Sequence, residues 1–431
     1  MTKIKFPENF LWGTSTAAHQ VEGNNKNNQW WKWEQETDLE ESGIACDHYN
    51  RYEDDIDLMA DLGYNAYRFS IEWSRVEPKE GEFNEKEIDH YRRVVEHSRE
   101  NGIKPIPMLW HWTNPLWFMR EGGWKKRENI DYFMEFVRKI AEEFEFDYWL
   151  TIDEPIVYAN ESCVSDKYPP IHLTENNWPK KEKTLTALFK VASNLLEAHA
   201  RSYETIHDNS SGEVSMSKAV NIFEPASNSP LDEWSAKIRD YLENDAWLKS
   251  LKKGKPIAPL YGEEFGSVLD FFGLNYFFGE ECRFDKNSTT PPYYFFKAGP
   301  REGCEKSDLG WWIYPKGLYK VLKRIHSTLD LPIMITSNGI GTERDLQRRR
   351  FIINHLKQMK RSMDGGVDLT GYMHWSFMDN FEWAQGFEPR FGLVEVDYSN
   401  LERIPRESAH MYEKIARKNG INGEIEEKYL V

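Results

Sequence analysis

Eight strand-like runs separated by helical patterns predict an α/β protein folded as a single (β/α)8 TIM barrel, because strands joined through helices run parallel and eight of them close a sheet on itself. Three observations carry this expectation. Short runs rich in β-formers alternate with longer segments whose apolar residues recur at helical spacing. Nothing divides the 431 residues: there is no low-complexity tract, internal repeat or Gly/Ser linker, so one domain over residues 1–431 is expected. Residues with chemistry to offer fall at or just after the ends of the runs, where such a barrel collects its active site.

The first strand is expected at 10–15, and the helix after it at 52–62, where Tyr52, Ile56 and Met59 share a face among aspartates. The second strand, 65–70, carries Arg68 near its end and leads to a helix at 85–100. The third, 104–110, runs into His111 and Trp112 and is followed by a helix at 130–144. The fourth, 148–153, ends on Asp153 and Glu154, with a long helix at 185–206 beyond it. The fifth is expected at 213–220 and the sixth at 269–275, ending on Asn275 and Tyr276. A helix at 316–327 precedes the seventh strand, 332–337, which ends on Ser337. A helix at 343–363 precedes the eighth, 371–377, which contains Trp375. The stretch 279–309 reads as a long irregular loop around Pro291-Pro292-Tyr293-Tyr294-Phe295-Phe296. It would overhang the mouth of a site after the sixth strand, and its rings either shape the leaving-group side, pack the loop down or form a homo-oligomer contact.

With 40% hydrophobic and 29% charged residues, and a mean hydropathy of −0.72, the chain reads as a soluble globular enzyme. No apolar run is long enough to insert in a membrane. A formal charge of −16 argues against a nucleic-acid partner, which requires a basic face. Cys46, Cys163, Cys282 and Cys304 lie far apart without a CxxC pair, so free thiols are expected and no metal site. The opening Met1-Thr2-Lys3-Ile4-Lys5-Phe6-Pro7 lacks the apolar stretch and cleavage site of a signal peptide, which predicts a cytoplasmic protein. Aromatic residues make up 14% of the chain; their rings suit the C–H faces of sugars, although core packing accounts for most of them.

Several segments carry a more specific signal. Residues 10–23 read Phe-Leu-Trp-Gly-Thr-Ser-Thr-Ala-Ala-His-Gln-Val-Glu-Gly; 67–75 read Tyr-Arg-Phe-Ser-Ile-Glu-Trp-Ser-Arg; 151–155 read Thr-Ile-Asp-Glu-Pro; and 335–339 read Ile-Thr-Ser-Asn-Gly. Together with His111-Trp112, Asn275-Tyr276, 375–383 (Trp-Ser-Phe-Met-Asp-Asn-Phe-Glu-Trp) and Arg390-Phe391-Gly392, they resemble, in the same order along nearly the whole chain, the retaining β-glycosidases of glycoside hydrolase family 1, archaeal type. The resemblance implies a barrel glycosidase without metal or organic cofactor, acting on an oligosaccharide or glycoside substrate. It implies that Glu154 is the acid/base, that Gln20, His111, Trp112 and Asn275 contact the sugar, and that Arg68 and Tyr276 attend the nucleophile. Trp375 and Trp383 offer stacking faces, and Glu382 accepts from adjacent hydroxyls of the terminal sugar. Members acting on 6-phosphorylated sugars hold the phosphate there with a serine and a lysine, so Glu382 implies an unphosphorylated sugar.

The chain departs from the family pattern at two catalytic places. The family reads Asn-Glu-Pro and Thr-Glu-Asn-Gly; here Asp153 stands for the asparagine and Ser337 for the nucleophile glutamate. A serine is neutral and a poor nucleophile without a base beside it. Three readings compete. Ser337 is an introduced substitution in a β-glucosidase or β-galactosidase, making a trap or glycosynthase; or the chain is a non-catalytic sugar-binding relative; or it is an exo-β-glycosidase acting on 2-acetamido-2-deoxy-β-glycosides, whose acetamido oxygen replaces the protein nucleophile. The third accounts for both changes: Asp153 can accept from the acetamido N–H, Ser337 opens space beneath the sugar, and Tyr276 is expected to donate to the acetamido oxygen. Asp153 and Glu154 are neighbours in a strand, so both reach one sugar only if the pleat is broken there.

Overall fold

The computed structural model describes residues 4–174, 176–288 and 295–430. Its centre is a closed barrel of eight parallel strands: β1 (Leu11–Ser15), β2 (Ala66–Ser70), β3 (Lys104–Trp110), β4 (Tyr148–Asp153), β5 (Glu213–Ala219), β6 (Phe272–Asn275), β7 (Ile333–Asn338) and β8 (Leu369–Trp375). Neighbours around the barrel follow chain order, and β8 closes against β1 through pairs such as Gly371–Leu11 and Trp375–Ser15. The eighth strand stops at Trp375, short of the expected 377, because the chain turns there and Ser376 N–H bonds to the Phe391 carbonyl. Outside the barrel lie α1 (His48–Asp61), α2 (Glu85–Glu100), α3 (Ile130–Glu143), α4 (Pro155–Val164), α5 (Leu185–His207), α6 (Ala246–Lys253), α7 (Pro315–Leu329), α8 (Asp345–Asp364) and α9 (Glu407–Lys418).

Two apolar cores hold this arrangement. Leu11, Ala66, Ile106, Met108, Leu150, Phe271, Met334 and Met373 pack together, coming from seven of the strands or the residue flanking them, which places the cluster inside the barrel. A far larger core fills the gap between strands and helices, where Ile130, Phe133, Val137 and Ile140 present one stripe of α3 to Trp73 and Trp124.

Strand parity is not kept to the ends. In β4, Leu150 belongs to the inner core and Ile152 to the outer one, and Asp153 then faces the cavity, so the alternation has slipped by one residue. Register shifts mark the slip between Leu150 and Asp153 against β5, and between Ile335 and Ser337 of β7 against β6. In β3, Met108 faces inward, Trp110 outward and His111 the cavity. By contrast β2, β6 and β8 keep period two, and bring Arg68, Asn275 and Trp375 to the same end.

The stretch 279–309 differs from the loop expected. Gly279–Phe284 pairs antiparallel with Phe296–Gly299, and Ile222–Pro225 adds a third strand to this small sheet. Its partners come from separate segments, a pairing that local pattern does not reveal. Phe296 is buried in it and Phe295 is exposed; Pro291, Pro292, Tyr293 and Tyr294 lie outside the described residues. No helix of the described residues is long and apolar enough to cross a membrane.

Candidate active site

The C-terminal ends of the strands surround a cavity of about 450 Å³. On its floor, the carboxylate of Asp153 forms an ion pair with Arg68 Nη2, both side chains being buried. Arg68 Nη1 donates to Ser337 Oγ at 3.0 Å, so one guanidinium bridges the ends of β4 and β7. The serine hydroxyl in turn donates to the Thr336 carbonyl at 2.7 Å. Its proton therefore rests on a backbone oxygen and not on a base.

Asn275 ties the two carboxyl groups together. Its Nδ2 donates to Glu154 Oε1 at 2.7 Å and to Asp153 Oδ1 at 3.2 Å, while its Oδ1 accepts from Thr336 Oγ1 at 2.7 Å. Glu154 caps α4 from a left-handed backbone conformation with φ 43°, which Pro155 at the first helical position follows. Burial, with Asp153's negative charge beside it, pushes the Glu154 carboxyl up to about 8. It is an acid that keeps its proton at neutral pH. Asp153 Oδ2 faces His111 Nε2 at 3.3 Å. Burial brings His111 down to about 4 despite that carboxylate, so its ring is neutral.

Aromatic rings form one side of the cavity. His111 stacks on Trp375 at 5.8 Å and on Trp383 at 6.1 Å, and Trp112 lies 5.4 Å from Trp383. Trp112 and Trp383 also have positive φ, of 69° and 51°, a strained backbone that recurs with Glu154 at this site. Glu382 lines the cavity with Gln20 as its hydrogen-bond partner, at 3.2 Å; burial pushes it up to about 8 against the pull of that hydrogen bond. Gln20 itself is fully buried beside Glu382, its Nε2 also bonded to Asn380 Oδ1 and the Phe381 carbonyl, and its Oε1 has no partner among the described residues. Among the described residues no group of His, Cys, Asp and Glu is placed to hold a metal ion.

Tyr276 requires a correction. It was expected beside the nucleophile position with its hydroxyl free for the substrate. The regular alternation of β6 turns Asn275 and Phe277 toward the cavity and Tyr276 away from it. Its hydroxyl donates to the Tyr314 carbonyl at 2.7 Å and lies so close to α7 that a Cβ on Gly317 would meet it at 2.0 Å. The ring facing the site is Phe277, and the alternation of 275–277 was the available signal. Other lining residues, Tyr168, Glu161, Phe278 and Trp311, sit in connections that strand periodicity does not reach.

An acid held protonated, a hydrogen-bonded carboxylate next to it and a wall of indoles at the mouth of a (β/α)8 barrel define a class, the barrel glycosidases. The chain belongs to glycosyl hydrolase family 1, whose family model matches residues 2–259 and 262–421. It is similar to a β-glucosidase A of Thermotoga maritima, at 32% identity over 98% of this chain and 100% of the relative. A 6-phospho-β-galactosidase of Staphylococcus haemolyticus is 30% identical over 97% of this chain and 99% of its own length. Among solved structures, a β-glycosidase from Pyrococcus horikoshii superposes with a TM-score of 0.89 at 40% identity, covering 100% of this chain and 99% of the other.

Proposed function

We propose that the protein, acting as one domain over residues 1–431, is an exo-β-glycosidase for unphosphorylated terminal β-linked sugars, in which Glu154 protonates the leaving oxygen and the substrate's own 2-acetamido group stands in for a protein nucleophile. The observation that carries this reading is the Arg68 bridge: Ser337 offers a neutral hydroxyl whose proton is spent on the Thr336 carbonyl, while the carboxylate paired with Arg68 is Asp153. In the reaction, Glu154 gives its proton to the leaving oxygen as that bond to the anomeric carbon breaks. The acetamido oxygen forms the new bond from the opposite face, and Asp153 Oδ2 accepts from the acetamido N–H as it gains positive charge. Water, deprotonated by Glu154, then opens the cyclic intermediate with retention. A single displacement by water fits less well, because two bonds to one Asn275 nitrogen, at 3.2 and 2.7 Å, hold the carboxyl oxygens closer than the ~6.5–9.5 Å of inverting pairs. The unphosphorylated sugar is supported by Glu382, a buried carboxyl that brings no positive charge to hold a phosphate.

A second reading is favoured by Phe277, which puts no hydroxyl where the acetamido oxygen would sit: a β-glucosidase or β-galactosidase that lacks its nucleophile. The two are separated by chromophore release from aryl 2-acetamido-2-deoxy-β-glycosides against plain aryl β-glucosides and β-galactosides, before and after Ser337→Glu. The acetamido mechanism predicts turnover of the first set, lost on Ser337→Glu, and inhibition by the 2-acetamido thiazoline. Recovery of plain glycoside hydrolysis by several orders of magnitude with Ser337→Glu would establish the second reading instead. No turnover in either protein, with sugars still bound, would leave a binding relative.

A further inference from the structure

Helix α4 starts just after Glu154 and delivers its last turn to the mouth of the cavity. Beyond it the turn 165–168 continues, so that Glu161, Ser165, Lys167 and Tyr168 line the cavity together with a cluster of rings, Phe277, Phe278 and Trp311. One amine gathers three carbonyls of this wall, beside the outer ties from Trp33 Nε1 to the Lys167 carbonyl at 3.0 Å and from Lys183 to Asp166 at 2.7 Å. Lys181 Nζ donates to the carbonyls of Glu161 at 3.2 Å, Tyr168 at 2.6 Å and Ser165. Three acceptors match the three protons of an ammonium group, and a neutral amine has one fewer to give. The wall is also braced from the glycone side, where Tyr168 packs edge-on against Trp30 at 5.0 Å and Trp112 at 6.1 Å.

Resting on the glycosidase reading above, we propose that Lys181 is a positioning residue for the leaving group: it holds the polar wall 161–168 at the spacing from the aromatic wall that admits a second sugar ring. One polar and one aromatic wall suit a pyranose, which carries hydroxyls at its rim and C–H groups on its face. An alkyl chain would leave the Glu161 and Ser165 side without partners. Lys181 is surrounded by Cys163 and Glu161 of α4, Asp166 of the turn and Lys183 of its own segment. Burial holds it down to about 8, against the pull of the first three. The sign is that of a cation: the clip is complete below pH 8 and loses a donor above it.

The test compares the parent with Lys181→Met and Lys181→Arg. Lys181→Met should speed amide hydrogen exchange across 161–168 about tenfold at pH 7, after correction for intrinsic rates, and Lys181→Arg should keep most of the protection. The parent at pH 9 should approach the methionine variant. In binding, Lys181→Met should weaken a thio-linked disaccharide about tenfold while changing a monosaccharide iminosugar less than about twofold. Unchanged exchange in Lys181→Met, or equal weakening of both ligands, overturns the inference. If neither ligand binds the parent, it is the glycosidase reading that fails, and the exchange measurement alone then decides the role of Lys181.

Discussion

At the scale of single residues, the site is organised around one buried guanidinium, that of Arg68. Arg68 bridges the end of β4, where Asp153 supplies a carboxylate, and the end of β7, where Ser337 supplies only a hydroxyl. Asp153→Asn should therefore do two things. It should cost roughly 2–4 kcal/mol of transition-state stabilisation, seen in kcat for 2-acetamido substrates, as when one pre-organised electrostatic partner is lost. It should also strand a buried cation, lowering the unfolding free energy by about 3–5 kcal/mol in denaturant titration. Adding Ser337→Glu should restore most of that stability, because the carboxylate returns to the other end of the same guanidinium. A double variant no more stable than Asp153→Asn would show that Arg68 does not couple the two positions.

Glu154 carries a pH prediction. In the proposed mechanism its acid form is the active one, and its carboxyl is pushed up to about 8, so kcat/KM should be level at neutral pH and fall about tenfold per pH unit above 8. Because burial also pushes Glu382 up to about 8, the limb is assigned by variants. It should persist in Glu382→Gln and vanish in Glu154→Ala, whose remaining turnover of substrates with good leaving groups should rise with azide.

At the scale of elements, the junction of β4 and α4 does the placing. The parity slip after Leu150 turns Asp153 into the cavity, and the left-handed turn at residue 154 keeps Glu154 on the same side before Pro155 starts the helix. A non-glycine residue in that conformation costs about 1–2 kcal/mol. Glu154→Gly should accordingly be more stable than Glu154→Ala by about 1 kcal/mol, the reverse of their order inside a helix, with both variants equally inactive on poor leaving groups. Equal stabilities in a thermal scan would mean that residue 154 relaxes its backbone when the carboxyl is removed. The same closeness appears at the end of β7, where a Cβ on Gly339 would lie 1.6 Å from the Trp375 carbonyl. Ser337 and Trp375 share one cavity because nothing larger than glycine separates their strands.

For the molecule as a whole, barrel closure depends on residues far apart in the chain. Tyr412 of α9 donates its hydroxyl toward the carbonyls of Gly13 and Tyr372, each at 3.0 Å, and so pins the last long helix over the seam between β1 and β8. Nearby, Ile4–Lys5 pairs with Gly420–Ile421. Tyr412→Phe should lower the unfolding free energy by about 1–3 kcal/mol, because it leaves both carbonyls buried without that donor. Since the seam lies under Trp375, a matching rise in KM with kcat unchanged is expected; loss of stability without any change in KM would separate the seam from the site.

Much of this protein is set by local pattern. The eight strands lie within a few residues of where β-rich runs and helical periodicity put them, because parallel strands buried on both faces and amphipathic helices are both imposed by short-range chemistry. Glu154, Asp153, Ser337, Arg68, His111, Asn275, Trp375, Glu382 and Trp383 could be named because each sits at a strand end or in a family segment. Local pattern could not decide which way each side chain points at the strand ends: Tyr276 faces α7 and Phe277 faces the cavity, while Asp153 enters the cavity through a register slip. Nor could it show that 279–309 contains a hairpin, or that Lys181 holds one carbonyl of α4 and two of the turn after it. These are long-range contacts, and a side chain's partners across the barrel are chosen by the packing of all eight strands at once.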